Sequence, residues 1–193
     1  NDPATAHQGA TVYEAALAPR GTEPGGSSEM ADADGTNNND DREAASGTVV
    51  FTSLDGVGSI TLGGVALAEG SAAAVTVLSD TTGELKAYYT YTAATGAGVV
   101  HYSYELKDNA AHAAGNDTND LVLPKLDLVV TDKDSQSASG SVTITILDEV
   151  PSAVVDTNSV VAGSYAPITG DVRANDTQGA DGAVVAGVAK GCL

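Results

Sequence analysis

From Gly47 onward the chain runs in short stretches of alternating apolar and polar residues, separated by Gly, Asn, Asp and Ser. In VVHYSYEL, Val100, Tyr102, Tyr104 and Leu106 fall on one face of an extended chain, and His101, Ser103 and Glu105 fall on the other. In VTITIL, Val142, Ile144 and Ile146 oppose Thr143, Thr145 and Leu147. The same texture runs through GTVVFTS, GSITLGGVAL, AAAVTVLSD, GELKAYYTYTA and NDLVLPKLDLVVTD. An apolar face backed by a polar one marks antiparallel strands with one side buried, not a parallel sheet covered on both sides. Seven such segments in about a hundred residues predict an all-β antiparallel sandwich.

The first 47 residues read differently. They are polar and turn-rich, and EMADADGTNNNDDREAASG crowds Asp32, Asp34, Asp40, Asp41 and Glu43 into a long acidic loop. TVYEAALA around Tyr13 has weak helical spacing, soon stopped by Pro19 and Gly21, and leaves a short helix and a loop equally open. Set against itself, the chain aligns NDPATAHQGATVYEAALAP with EVPSAVVDTNSVVAGSYAP at an offset of 148 residues, matching Pro3 with Pro151, Val12 with Val160, Ala18 with Ala166 and Pro19 with Pro167. The offset predicts one repeat over residues 1–148, followed in residues 149–193 by a linker and the opening strands of the next repeat. Such a tail cannot bury its apolar faces alone. It is expected to be unordered in a monomer, or paired with the first domain or another chain.

Composition narrows the function. The formal net charge of −18 repels nucleic acid and anionic lipid and attracts cations, which removes nucleic acid from the partners. No run approaches the roughly 18 apolar residues of a membrane-spanning helix, so direct membrane insertion is not expected. The N-terminus shows no signal-peptide pattern, and the chain reads as a segment of a longer one. With one Phe, one Met and no Trp, any core is built from small β-branched residues and a few Tyr. The single cysteine, Cys192, allows neither an internal disulfide nor a cysteine zinc site.

Catalytic patterns are absent from the sequence. His7, His101 and His112 are the only histidines and stand in no HExxH spacing. There is no G-x-S-x-G elbow and no P-loop, and the chain is expected not to be an enzyme. Clustered carboxylates point to calcium instead, because Ca²⁺ takes six to eight oxygens and D-x-D spacing lets alternate side chains converge on one ion. Asp132 with Asp134 lies at a strand end before a hairpin, and Asp32 with Asp34 opens the acidic loop. Asp117 with Asp120 forms a third candidate. At the junction LDEVPSA, Asp148 and Glu149 precede Pro151, which stiffens the linker, and Asp2 before Pro3 is the equivalent acid of the first repeat. In a sandwich the hairpin of one unit sits near the acidic linker arriving from the preceding unit, so one ion held by both would lock neighbouring units together.

VYEAAL, FTSLDGVGSITLGG, YYTYTAATGAGVVHYSYEL, VVTDKDSQSASGSVTITILDEVPSA and ITGDVRANDTQGADGA together resemble the tandem repeats of giant RTX adhesins exported by bacterial type I secretion. VVTDKD…ITILDEVP is also similar to cadherin and other Ig-like surface repeats. The resemblance implies an Ig-like or cadherin-like β-sandwich, an extracellular location on the bacterial cell surface, calcium-rigidified linkers and a role in adhesion or biofilm formation. It makes Asp132, Asp134 and Asp148 the expected Ca²⁺ ligands. Two positions depart from the family pattern: Glu149 stands as the second acid of the linker, and DKDS lacks the Gly that commonly follows the second Asp. RTX nonapeptides are absent, which implies an extender segment.

The reading is therefore a non-catalytic, calcium-binding extender repeat whose partners are neighbouring repeats of the same polypeptide. One rival is a subunit of a homopolymeric surface filament, exchanging strands with neighbouring subunits through its tail. Another is a Ca²⁺-dependent domain for surface or glycan ligands, using the acidic loop, for which Tyr13 is the nearest aromatic in sequence.

Overall fold

The computed structural model describes residues 6–29, 40–112, 121–159, 162–163 and 165–186. Ten strands follow in chain order: β1 His7–Tyr13, β2 Ala44–Thr52, β3 Val57–Leu62, β4 Val65–Ala66, β5 Val75–Ser79, β6 Gly83–Thr92, β7 Ala97–Leu106, β8 Leu121–Val122, β9 Leu126–Asp132 and β10 Ser137–Leu147. One sheet has the order β1-β10-β9-β3-β4, with β8 also pairing with β10, and the other has the order β2-β7-β6-β5. The core lies between them, so the chain is an all-β sandwich. The alternation read from sequence is the alternation observed: Val100, Tyr102, Tyr104 and Leu106 of β7 are buried against Val142, Ile144 and Ile146 of β10 in one cluster.

Several segments resolve more finely than the pattern suggested. GSITLGGVAL is a hairpin rather than one strand, because Gly63 and Gly64 both take positive φ (57° and 81°) and join Leu62 to Val65 in a two-residue turn. NDLVLPKLDLVVTD breaks into β8 and β9 around Pro124, which has no amide hydrogen for a ladder. TVYEAALA is neither helix nor loop: it completes β1 and then makes one 3-10 turn, Glu14–Ala16. The reason is tertiary, since β1 pairs along its whole length with β10, from His7 beside Ser141 to Tyr13 beside Leu147.

That pairing is parallel, whereas every other strand pair among the described residues is antiparallel. Chain enters beside the β9–β10 hairpin, here called the inlet pole, and leaves at Leu147 at the opposite outlet pole. At a rise of about 3.3 Å per residue the eleven residues of β10 separate the two poles by roughly 33 Å.

Beyond Leu147 the described residues form no strand, only an isolated bridge between Ser152 and Thr177. The segment leaves Val155, Tyr165 and Val184 exposed but returns to the sandwich at Ala180, which is fully buried in the core cluster.

Tyr104 offers a test of this packing. Burial, with Asp80 nearby, pushes its hydroxyl up to about 12 from its ordinary 10. A raised folded value means the contribution is whole below pH 10, the unfolded value, and is lost as pH rises through about 12. Denaturant melts from pH 9 to 12 should therefore show a falling stability that is shallower in Tyr104→Phe; the same slope in both proteins would contradict the burial.

Candidate metal centre

Register carries the outlet pole's chemistry. Tyr13 pairs with Leu147, so the next residues on the two strands, Glu14 and Asp148, are brought side by side. The loop after β7 then delivers Ala110 and His112 to the same point. Glu14 is completely buried, and its Oε1 accepts hydrogen bonds from the Ala110 amide at 2.6 Å and from His112 Nε2 at 2.8 Å. His112 Nε2 also lies 3.9 Å from Asp148 Oδ1. One donor atom from each of Glu14, His112 and Asp148 falls within 4.8 Å of the others. Glu14 Oε2 is buried with no hydrogen-bond partner among the described residues.

Burial pushes the Glu14 carboxyl above its ordinary range, and the nearby Asp181 charge adds to this. The Ala110 amide and His112 pull the other way. Chemically the arrangement is a buried imidazole–carboxylate pair with a second carboxylate at its mouth. It can share a proton or hold a dication.

Of the acids expected from sequence, Asp148 stands in this centre. Its neighbour Glu149 does not offer a vacant carboxylate: it accepts from the Ser27 amide at 2.8 and 3.0 Å and from the Ala180 amide at 3.0 Å. The Ala180 carbonyl in turn accepts from Arg20 Nη2 at 3.1 Å, and Arg20 Nε donates to Asp108 at 3.0 Å. Glu149 thereby clamps the returning tail to the turn at Gly26–Ser28, which is itself bonded to Leu17 and Ala15. Gly26 belongs to the same turn, where a Cβ would lie 2.1 Å from the Ala15 carbonyl oxygen.

Asp132 and Asp134 sit at the inlet pole. Asp132 is 2% exposed and ends β9, and its Oδ1 accepts from the amides of Asp134 at 2.9 Å and Gln136 at 2.8 Å. These bonds shape the hairpin around Ser135, whose φ is 68°. Asp132 Oδ2 is buried without a partner among the described residues, whereas Asp134 is exposed. Asp2, Asp32, Asp34, Asp117 and Asp120 lie outside the described residues.

Glu14 was invisible as a site residue because it sits in an ordinary-looking VYEAAL, and His112 because it belongs to no metal motif. The parallel register joins Glu14 to Asp148, and the loop after β7 brings His112 to both. Compared with family models, curated proteins and solved structures, the chain matches none. Among the described residues no helix is long and apolar enough to cross a membrane.

Proposed function

We propose that this chain is a non-catalytic extender repeat of a bacterial cell-surface adhesin, an Ig-like sandwich that works outside the cell, in adhesion and biofilm formation, and binds Ca²⁺ where consecutive repeats meet. The observation that carries this reading is the parallel pairing of the first and last strands. It sends the chain in at one pole and out at the other, so that units joined in series add their full strand length. Antiparallel first and last strands would instead return the chain to the pole it entered by.

The charge pattern supports the calcium component. Asp132 and Asp134 stand at the inlet pole and Asp148 at the outlet pole, so a junction between two copies brings acids from both together. Asp132 keeps one buried oxygen unpartnered among the described residues, which leaves it able to take a cation.

Calcium should raise the melting temperature of the full chain. A site filled only in the folded state adds about 2.7 kcal/mol at 100 times Kd. For a protein of this size that corresponds to roughly 5–10 °C per site. Scanning calorimetry in chelator and in millimolar Ca²⁺ reads the shift directly; superimposable melts would remove calcium from the proposal. Light scattering over a range of chain concentrations separates the extender from the filament subunit, which gains mass with concentration while the extender stays a monomer.

A further inference from the structure

We infer that Glu14, His112 and Asp148 form a binding site for a transition-metal dication of the Zn²⁺ type at the outlet pole, sharing Asp148 with the calcium positions of the adhesin reading. The inference stands on the geometry of this pole and not on that reading.

Ligand chemistry selects the metal. Zn²⁺ binds imidazole nitrogen and carboxylate oxygen at about 2.0–2.2 Å with four-fold tetrahedral geometry, and three protein ligands with one open position are a common arrangement. Two ligands on such an ion stand about 3.4 Å apart. The observed separations from His112 Nε2, 2.8 Å to Glu14 and 3.9 Å to Asp148, bracket that value, and the three donor atoms all lie within 4.8 Å of one another, so side-chain adjustments of about an ångström would let one ion reach all three. Ca²⁺ wants six to eight oxygens and has little use for an imidazole nitrogen, whereas imidazole suits Zn²⁺ and its neighbours in the first transition row.

The second observation is Glu14 itself. A carboxylate with no exposure and one oxygen unpartnered among the described residues is costly to bury, and among those residues it accepts from one amide and the imidazole. A dication would give that carboxylate a charge partner and replace the proton that holds His112 to Oε1. The Ala110 amide would then serve as the outer hydrogen bond that fixes a ligating carboxylate. The ion would tie the end of β1, the loop after β7 and the first residue of the junction at one point.

The test uses the full chain, stripped with chelator, with Cys192→Ser as the background so that the thiol cannot compete. Co²⁺ is titrated as a visible-absorbing stand-in and Zn²⁺ by calorimetry. One equivalent of Co²⁺ should produce a visible band that Zn²⁺ abolishes and millimolar Ca²⁺ leaves in place. His112→Gln should weaken Zn²⁺ binding by more than the roughly 10–100-fold that loss of an outer-shell partner costs. Asp148→Asn, at the most exposed of the three side chains (13%), should weaken it by about tenfold or more and keeps the test open should His112→Gln fail to fold. Absence of the band, unchanged affinity in folded His112→Gln and in Asp148→Asn, or displacement by Ca²⁺ would each overturn the assignment. Absence of the band leaves a Ca²⁺-dependent rise in melting temperature intact, and displacement by Ca²⁺ overturns the Zn²⁺ assignment while favouring calcium, so the two readings fail separately.

Discussion

Tyr102→Ala should cost about 3–5 kcal/mol in unfolding free energy, the range for truncating a large buried aromatic side chain. Tyr102 lies on β7, hydrogen-bonded between β2 and β6 at the middle of its sheet, and is 3% exposed. Its ring covers Gly47 on β2, where a Cβ would come within 2.3 Å of the Tyr102 hydroxyl oxygen, so ring and glycine fill one volume between them. In a core with one Phe and no Trp, no larger neighbour can collapse into the gap. Asp134→Ala in chelator provides the contrast: an exposed hairpin side chain, whose backbone amide and not its carboxylate bonds Asp132, should cost no more than about 0.5 kcal/mol. Urea unfolding of both variants gives the comparison, and similar small losses would mean that the faces of β7 are assigned the wrong way round.

Phe51→Ala should lose about 3–5 kcal/mol, and its coupling to Gly98 is the sharper result. The two residues are paired directly across β2 and β7. A Cβ on Gly98 would stand 2.0 Å from Phe51 Cζ and 2.5 Å from both Cε atoms, over the ring face. The ring has nowhere to retreat, because Tyr91 stacks at 6.3 Å and Tyr89 meets it edge-on at 6.5 Å. Gly98→Ala alone should therefore cost about 1–3 kcal/mol by overpacking. In the Phe51→Ala background the same substitution puts a methyl group into the vacated space and should be neutral or stabilising. A double-mutant cycle measures the difference, and additive losses would show that ring and glycine do not share that volume.

Much of the sandwich was legible because its inner strands carry their own evidence. From Val100 to Leu106 in β7 and from Val142 to Ile146 in β10 each buried position is apolar and each outward one polar, so period 2 is plain in the sequence. β1 carries no such evidence. HQGATVY buries only Val12 completely, and its strand state comes from a partner more than a hundred residues away. Local spacing in VYEAAL left helix and loop equally open, and the ladder to β10 made a strand of it as far as Tyr13. The outlet centre was hidden for the same reason: Glu14 and Asp148 are neighbours through strand register, and His112 through a loop that no local pattern announces. Asp132 was legible as a special acid, since D-x-D before a hairpin is also the spacing with which a carboxylate gathers turn amides. Glu149 read as a candidate calcium ligand of the acidic linker, but its bonds to Ser27 and Ala180 depend on a tail fold that composition could not foretell.

The parallel union of β1 and β10 also decides how this sandwich meets a pulling force. A load applied through the chain on either side of the sandwich draws β1 and β10 in opposite directions along their common axis. Their inter-strand bonds run across that axis, so they are strained in shear, and the seven paired positions from His7 to Tyr13 share the load together. An antiparallel terminal pair pulled from one pole would open like a zipper, one bond at a time. Rupture here requires the whole ladder to slip at once, and sliding by two residues, the first register that keeps Val12 facing inward, must drag its side chain past the packed row of β10.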